Sequence, residues 1–194
     1  MPTLEIDRTT SALLVMDCVQ GIVAQLPAAE SQRLLANAGA ALAAARQARL
    51  PVIHVGIHFR AGYPEVASRN AFYSAVKDAS RLRQGAADAA FCDAVRPLDG
   101  EAVVTKKRMS AFTGSDLEVL LRSQGIETLI LAGVSSLGVI ESTARAAFDM
   151  DYRLIVLGDC CADRDAQAHA IAVQWLLPRI ATVASLEDFR AAMR

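Results

Sequence analysis

The chain has 194 residues, 53% hydrophobic and 21% charged, enough apolar material for a buried core and too much for a disordered segment. Twenty Lys and Arg against 21 Asp and Glu leave a formal charge of −1, no electrostatic footprint for nucleic acid or an anionic membrane. No apolar run approaches the ~20 residues of a membrane span, and MPTLEIDRTT lacks the layout of a secretory signal. A single domain over 1–194 is expected, cytoplasmic, with its four cysteines (18, 92, 160 and 161) reduced.

SALLVMD (11–17) is a continuous apolar run, as a strand buried on both faces requires. Residues 28–48 repeat Leu34, Leu35, Ala38, Leu42 and Ala45 at helical spacing. PVIHVGIHF (51–59) reads as a second strand entered at Pro51. The stretch 60–100 is the least regular, with a loop at AGYPE (61–65) and then a mixed segment holding a helical piece or two. EAVVTK (101–106) is the third strand. Ser115 and Glu118 then form a capping-box pattern, and Gly125 stands where a left-handed helix end would. TLILAGV (128–134), YRLIVLG (152–158) and RIATVAS (179–185) complete six strands. Glu141 and Arg145 are spaced as a helical ion pair, and Ser185 with Asp188 opens a last helix. Alternation of this kind predicts an α/β fold, a parallel sheet with helices on both faces.

In such sheets ligands bind beyond the carboxyl ends of the strands. That rule selects Asp17, His58, Phe59, Lys106, the segment after Gly133, and Asp159–Cys161. A carboxylate at Asp17 is partly desolvated, and Lys106 is placed to supply a cation; a plain loop cap at Asp17 is the alternative. In AGVSSLGVIESTARAAF (132–148) a helix begins around Leu137, where free N–H groups suit a carboxylate or an oxyanion. An ordinary strand-to-helix connection reads the same way.

These segments resemble the isochorismatase-like hydrolases, often called the cysteine hydrolase family. The likeness is sharpest in LLVMD (13–17), TKKRMSAFTGSDLEVLL (105–121), ILAGVSSLGVIESTARAAFDMDYRLIVLGDCCAD (130–163) and ATVASLEDF (181–189). It implies a Rossmann-like three-layer fold with a six-stranded parallel sheet, and a homodimer or homotetramer. It also implies a site made of an Asp after the first strand, a Lys after the third and a Cys at the helix start after the fourth. The Asp falls on Asp17 and the Lys on Lys106, since Arg108, Ser110, Ala111 and Phe112 match the residues that come after that Lys in other members; Lys107 is then a solvent-facing neighbour. Val134–Ser135 matches a position where the family often has a cis bond. Of Phe59, Tyr63, Phe112 and Trp175, which could wall a pocket, only Phe112, inside the matching motif, is expected to do so; the others read as core.

The nucleophile departs from the pattern: six residues on from Gly133 stands Val139, which has no thiol to attack a carbonyl. CVQG (18–21) departs as well. Isochorismatases proper also lack the cysteine, and in their logic Asp17 protonates a vinyl carbon before water attacks. Lys106 then holds a substrate carboxylate or tunes Asp17, and the N–H groups around Val139 and Ile140 form an anion or oxyanion site. The expected partner is a small, anionic substrate rather than nucleic acid or membrane. Alternatives are an amidase with a displaced Cys18, Cys160 or Cys161, and a catalytically silent binding or assembly protein.

Neither metal nor cofactor is expected. His54 and His58 share a strand face but lie roughly 13 Å apart, and FRAGYPE (59–65) offers no histidine. There is no Gly-rich dinucleotide or phosphate loop. His58 is a candidate to line the pocket, His54 a packed strand residue, and His169 a group facing solvent or a subunit boundary.

Overall fold

The computed structural model describes residues 4–194. Six apolar runs become β1 (Ser11–Met16), β2 (Val52–Ile57), β3 (Ala102–Lys106), β4 (Thr128–Val134), β5 (Arg153–Ala162) and β6 (Thr182–Ala184). They form one sheet in the order β3-β2-β1-β4-β5-β6, every pair parallel. Each residue of β1, β2 and β4 is buried. This burial is why those runs lack the polar alternation of a half-exposed strand.

Parallel neighbours need crossovers, and helices supply them. In chain order these are α1 (Gln20–Val23), α2 (Ala28–Gln47), α3 (Ala71–Asp78), α4 (Leu117–Ser123), α5 (Glu141–Phe148), α6 (Ala166–Ile171) and α7 (Leu186–Ala192). The pleat sends Leu13 and Val15 to one face, where Leu34, Ala38 and Leu42 of α2 and Phe189 of α7 cover them. Leu14 and Met16 point the other way, against Leu117 and Leu121 of α4 and Ala144 and Ala147 of α5. The result is a three-layer α/β/α fold. None of the described helices is long and apolar enough to cross a membrane.

Several boundaries differ from expectation. β5 continues past Gly158 to Ala162, because a register slip opposite Leu131–Gly133 keeps Asp159–Ala162 in the sheet. β6 begins only at Thr182, since Pro178 lies in a 3₁₀ turn over Leu177–Arg179. The Ser115–Glu118 capping box does not form. Ser115 Oγ donates to Ala111 O at 2.5 Å, α4 starts at Leu117, and Glu118 instead accepts from Arg122 at 2.8 Å. Gly125 does end α4, with φ +64°. Ser185 and Asp188 form a full capping box, and Glu141 pairs with Arg145.

Strand order reverses between β1 and β4, and there the two backbones come closest. Gly133 has φ +130°, and a Cβ on it would lie 2.1 Å from Met16 O. Only glycine fits that position. The crevice beyond these two strand ends is where an open α/β sheet receives ligands.

Candidate active site

Asp17 directly follows β1 in a left-handed conformation, φ +52°, with its N–H donated to Val55 O at 2.7 Å. Lys106 is the last residue of β3. β2 lies between their strands, so the backbones are roughly 10 Å apart. The lysine side chain crosses that gap and brings Nζ to 2.7 Å from Asp17 Oδ2 and 2.9 Å from Arg108 O. The lysine side chain is 1% exposed and the aspartate 2%. Burial raises the Asp17 carboxyl above the usual carboxylate range, and the Lys106 charge opposes that shift without cancelling it. Asp17 Oδ1 is buried with no hydrogen-bond partner.

A cavity of about 350 Å³ opens over this pair. Asp17, Lys106, Val134, Ser135 and Val139 all line it, so residues from β1, β3 and β4 converge although they are far apart in sequence. The Val134–Ser135 bond is cis. Val139, 5% exposed, presents an apolar side chain to the cavity. The opposite wall is α3, through Phe72, Tyr73, Ala75 and Val76, with Arg81 just beyond its end and Asp163 and Arg164 beyond β5. Sequence reading missed this wall. Its only local signal is Asn70, whose side chain caps α3 by accepting from Tyr73 N at 3.2 Å.

The anion site expected at the helix start after β4 is already filled from within. Residues Ser136–Ile140 form a π-helical turn, and the N–H groups of Val139 and Ile140 both donate to Ser135 O, at 2.9 and 3.0 Å. Leu137 N–H is taken by Asp163 Oδ2 at 3.1 Å. Ile140 itself is wholly buried among the α5 and sheet side chains.

Three other expectations are corrected by position. Phe112 does not wall the cavity; its ring packs on Tyr152 at 6.1 Å. His58 lies outside the lining, half-buried beside Phe91, although close enough for the Asp17 charge to act on it. Lys107 is not solvent-facing, since its ammonium donates to His58 O. Phe59 and Tyr63 stack on each other at 5.6 Å inside a small cluster beneath Tyr73, and Trp175 is 68% exposed. His169 meets Ser136 Oγ at 2.8 Å through Nδ1. Buried His54 meets Glu101 Oε2 at 2.8 Å through Nε2.

None of the four cysteines lines the cavity, and all are buried. Burial pushes Cys18 and Cys160 far up and Cys161 up to about 12, so none is poised as a thiolate. Among the described residues no three His, Cys, Asp or Glu side chains are grouped to hold a metal ion.

Known proteins share this fold. The isochorismatase domain model matches residues 11–188. An uncharacterised isochorismatase family protein, YecD of Escherichia coli O157:H7, is 31% identical over 194 residues, covering 98% of this chain and all of the relative. A maleamate amidohydrolase of Pseudomonas putida is 34% identical over 161 residues, 81% of this chain and 75% of the relative. The crystal structure of a cysteine hydrolase from Pseudomonas syringae pv. phaseolicola superposes with a TM-score of 0.90 at 20% identity, over 100% of this chain and 97% of that one.

Proposed function

Since the chain belongs to the isochorismatase family of hydrolases, we propose that it hydrolyses a small anionic metabolite through Asp17 and Lys106, without a covalent thiol intermediate. The observation that carries this reading is the buried pair itself, with Asp17 Oδ1 unpartnered at the cavity. A carboxyl in that environment holds its proton more readily than an exposed one and is able to return it, which is what a general acid–base needs.

On an enol ether, Asp17 transfers its proton to the vinyl carbon. Water adds to the resulting oxocarbenium and gives a proton back to the Asp17 carboxylate. The hemiketal then collapses to an alcohol and a carbonyl. On an amide, the Asp17 carboxylate takes a proton from the attacking water and delivers it to the leaving nitrogen. Lys106 keeps Asp17 in place and offsets charge in the cavity. Lys106, Arg81 and Arg164 set three cations against Asp17 and Asp163, which supports an anionic substrate. Val139 serves as an apolar wall. Ile171 and Trp175, exposed and four apart on one helical stretch, support assembly with further copies of the chain.

The test is product release from a panel of enol ethers and small amides, with isochorismate, nicotinamide and maleamate included, for the wild type and Asp17→Asn. Turnover of any member that disappears in a folded Asp17→Asn supports the reading. Turnover that survives the substitution sinks it. A folded wild type silent across the panel transfers the weight to a binding protein that has kept the fold.

A further inference from the structure

Tyr73 is closely packed. Its N–H is bonded to the Asn70 cap, and its ring meets Phe59 edge-on at 5.9 Å and Phe72 at 5.1 Å. The Arg108 guanidinium sits 5.2 Å from the ring centre. The residue is 4% exposed and lines the cavity over Asp17, yet its hydroxyl has no hydrogen-bond partner. Phenylalanine would satisfy the same packing and leave no buried polar group unpaired, so packing does not account for the oxygen. Asp17 Oδ1 is the second buried, unpartnered polar atom on the same cavity.

We propose that Tyr73 is a substrate-positioning residue whose hydroxyl donates a hydrogen bond to a carboxylate or carboxamide oxygen of the ligand held against Asp17. The direction of donation is set by charge. Burial, assisted by the neighbouring Asp17, pushes the phenol up to about 12, so it is neutral at physiological pH and keeps its proton. The neutral donor on the α3 side selects ligands with an oxygen acceptor beside the centre that reacts at Asp17. This assignment rests on the hydrolase reading only in sharing its cavity.

The experiment pairs calorimetric titration of maleamate and maleate with steady-state kinetics on the enol-ether and amide panel, for the wild type, Asp17→Asn and Tyr73→Phe. Tyr73→Phe is expected to keep the wild-type melting temperature while weakening probe binding and raising KM about tenfold, the effect of one neutral hydrogen bond. The kcat is expected to change less than KM. Probe affinity and KM both unchanged in a folded Tyr73→Phe would overturn the assignment, and loss of turnover in Asp17→Asn alongside would leave the hydrolase reading standing. Binding that depends on Tyr73 in a wild type without turnover would uphold the assignment and remove the hydrolase reading. Absence of probe binding to the wild type overturns the assignment whatever the kinetics show.

Discussion

Asp17 and Lys106 come from strands that are not neighbours, and their charged ends meet at 2.7 Å, out of water. Removing one partner strands the other. Lys106→Met leaves a buried carboxylate unpaired and is expected to cost about 3–5 kcal/mol of stability. Asp17→Asn tolerates the left-handed backbone at this position, so Asp17→Asn combined with Lys106→Met is expected to recover most of that loss while remaining inactive. Urea denaturation of the two single variants and the double checks this. A double variant no more stable than Lys106→Met would contradict the account.

Gly133→Ala places a methyl group 2.1 Å from Met16 O at a backbone conformation that L residues rarely adopt. β1 and β4 must then separate at the crevice. The expected penalty is more than about 4 kcal/mol, or loss of soluble protein, where most single substitutions cost far less. Soluble yield and the denaturation midpoint measure it, and a near-wild-type midpoint would mean the close approach is not required.

Stability is expected to fall in two stages on acidification. Burial lowers the pKa of all three histidines, His54, His58 and His169, from 6.5, so the unfolded chain binds more protons just below neutrality and stability declines there. Burial would raise Glu101, but the hydrogen bonds from Arg46, Leu98 N–H and His54 outweigh it and hold the carboxyl at about 2. Its contribution is complete above about pH 4.5 and lost as pH falls from there towards 2. Denaturation midpoints from about pH 7.5 to about 2.5 report both stages, and Glu101→Gln should flatten the lower one while deepening the upper one, since it takes a carboxylate away from His54. A level curve between about pH 7.5 and 5 would refute the histidine stage.

The four thiols should escape an aromatic disulfide reagent in the native protein and react in full once it is unfolded. Val139→Cys should add one reactive thiol, because that position opens on the cavity. Rapid native labelling of the wild type would reopen the case for a displaced nucleophile.

The order of the fold was legible because a strand buried on both faces leaves an uninterrupted apolar run, as in 11–16 and 128–134. Asp17 and Lys106 stood out for a related reason: a charge that closes such a run has nowhere neutral to go. The features that stayed hidden depend on tertiary detail. Whether an N–H is free after β4 turns on a π-helical turn that consumes the amides of Val139 and Ile140, and composition does not distinguish that turn from an ordinary helix start. Tyr73 lies on a short helix in the irregular stretch, where one buried ring leaves no periodic signature. Phe112 falls within a matching motif, yet its ring is drawn to Tyr152 instead of the cavity.

The two walls of the cavity are built on different terms. One is the end of the sheet, where Gly133 of β4 lies so close to Met16 of β1 that no side chain fits between them. The other is α3, which buries only Tyr73 and contributes no residue to the two cores flanking the sheet. Substitutions at Phe72 or Ala75 therefore reshape what the cavity accepts without entering the two cores that flank the sheet. An altered ligand preference is thus reachable on the outer face of α3 while every strand remains as it is.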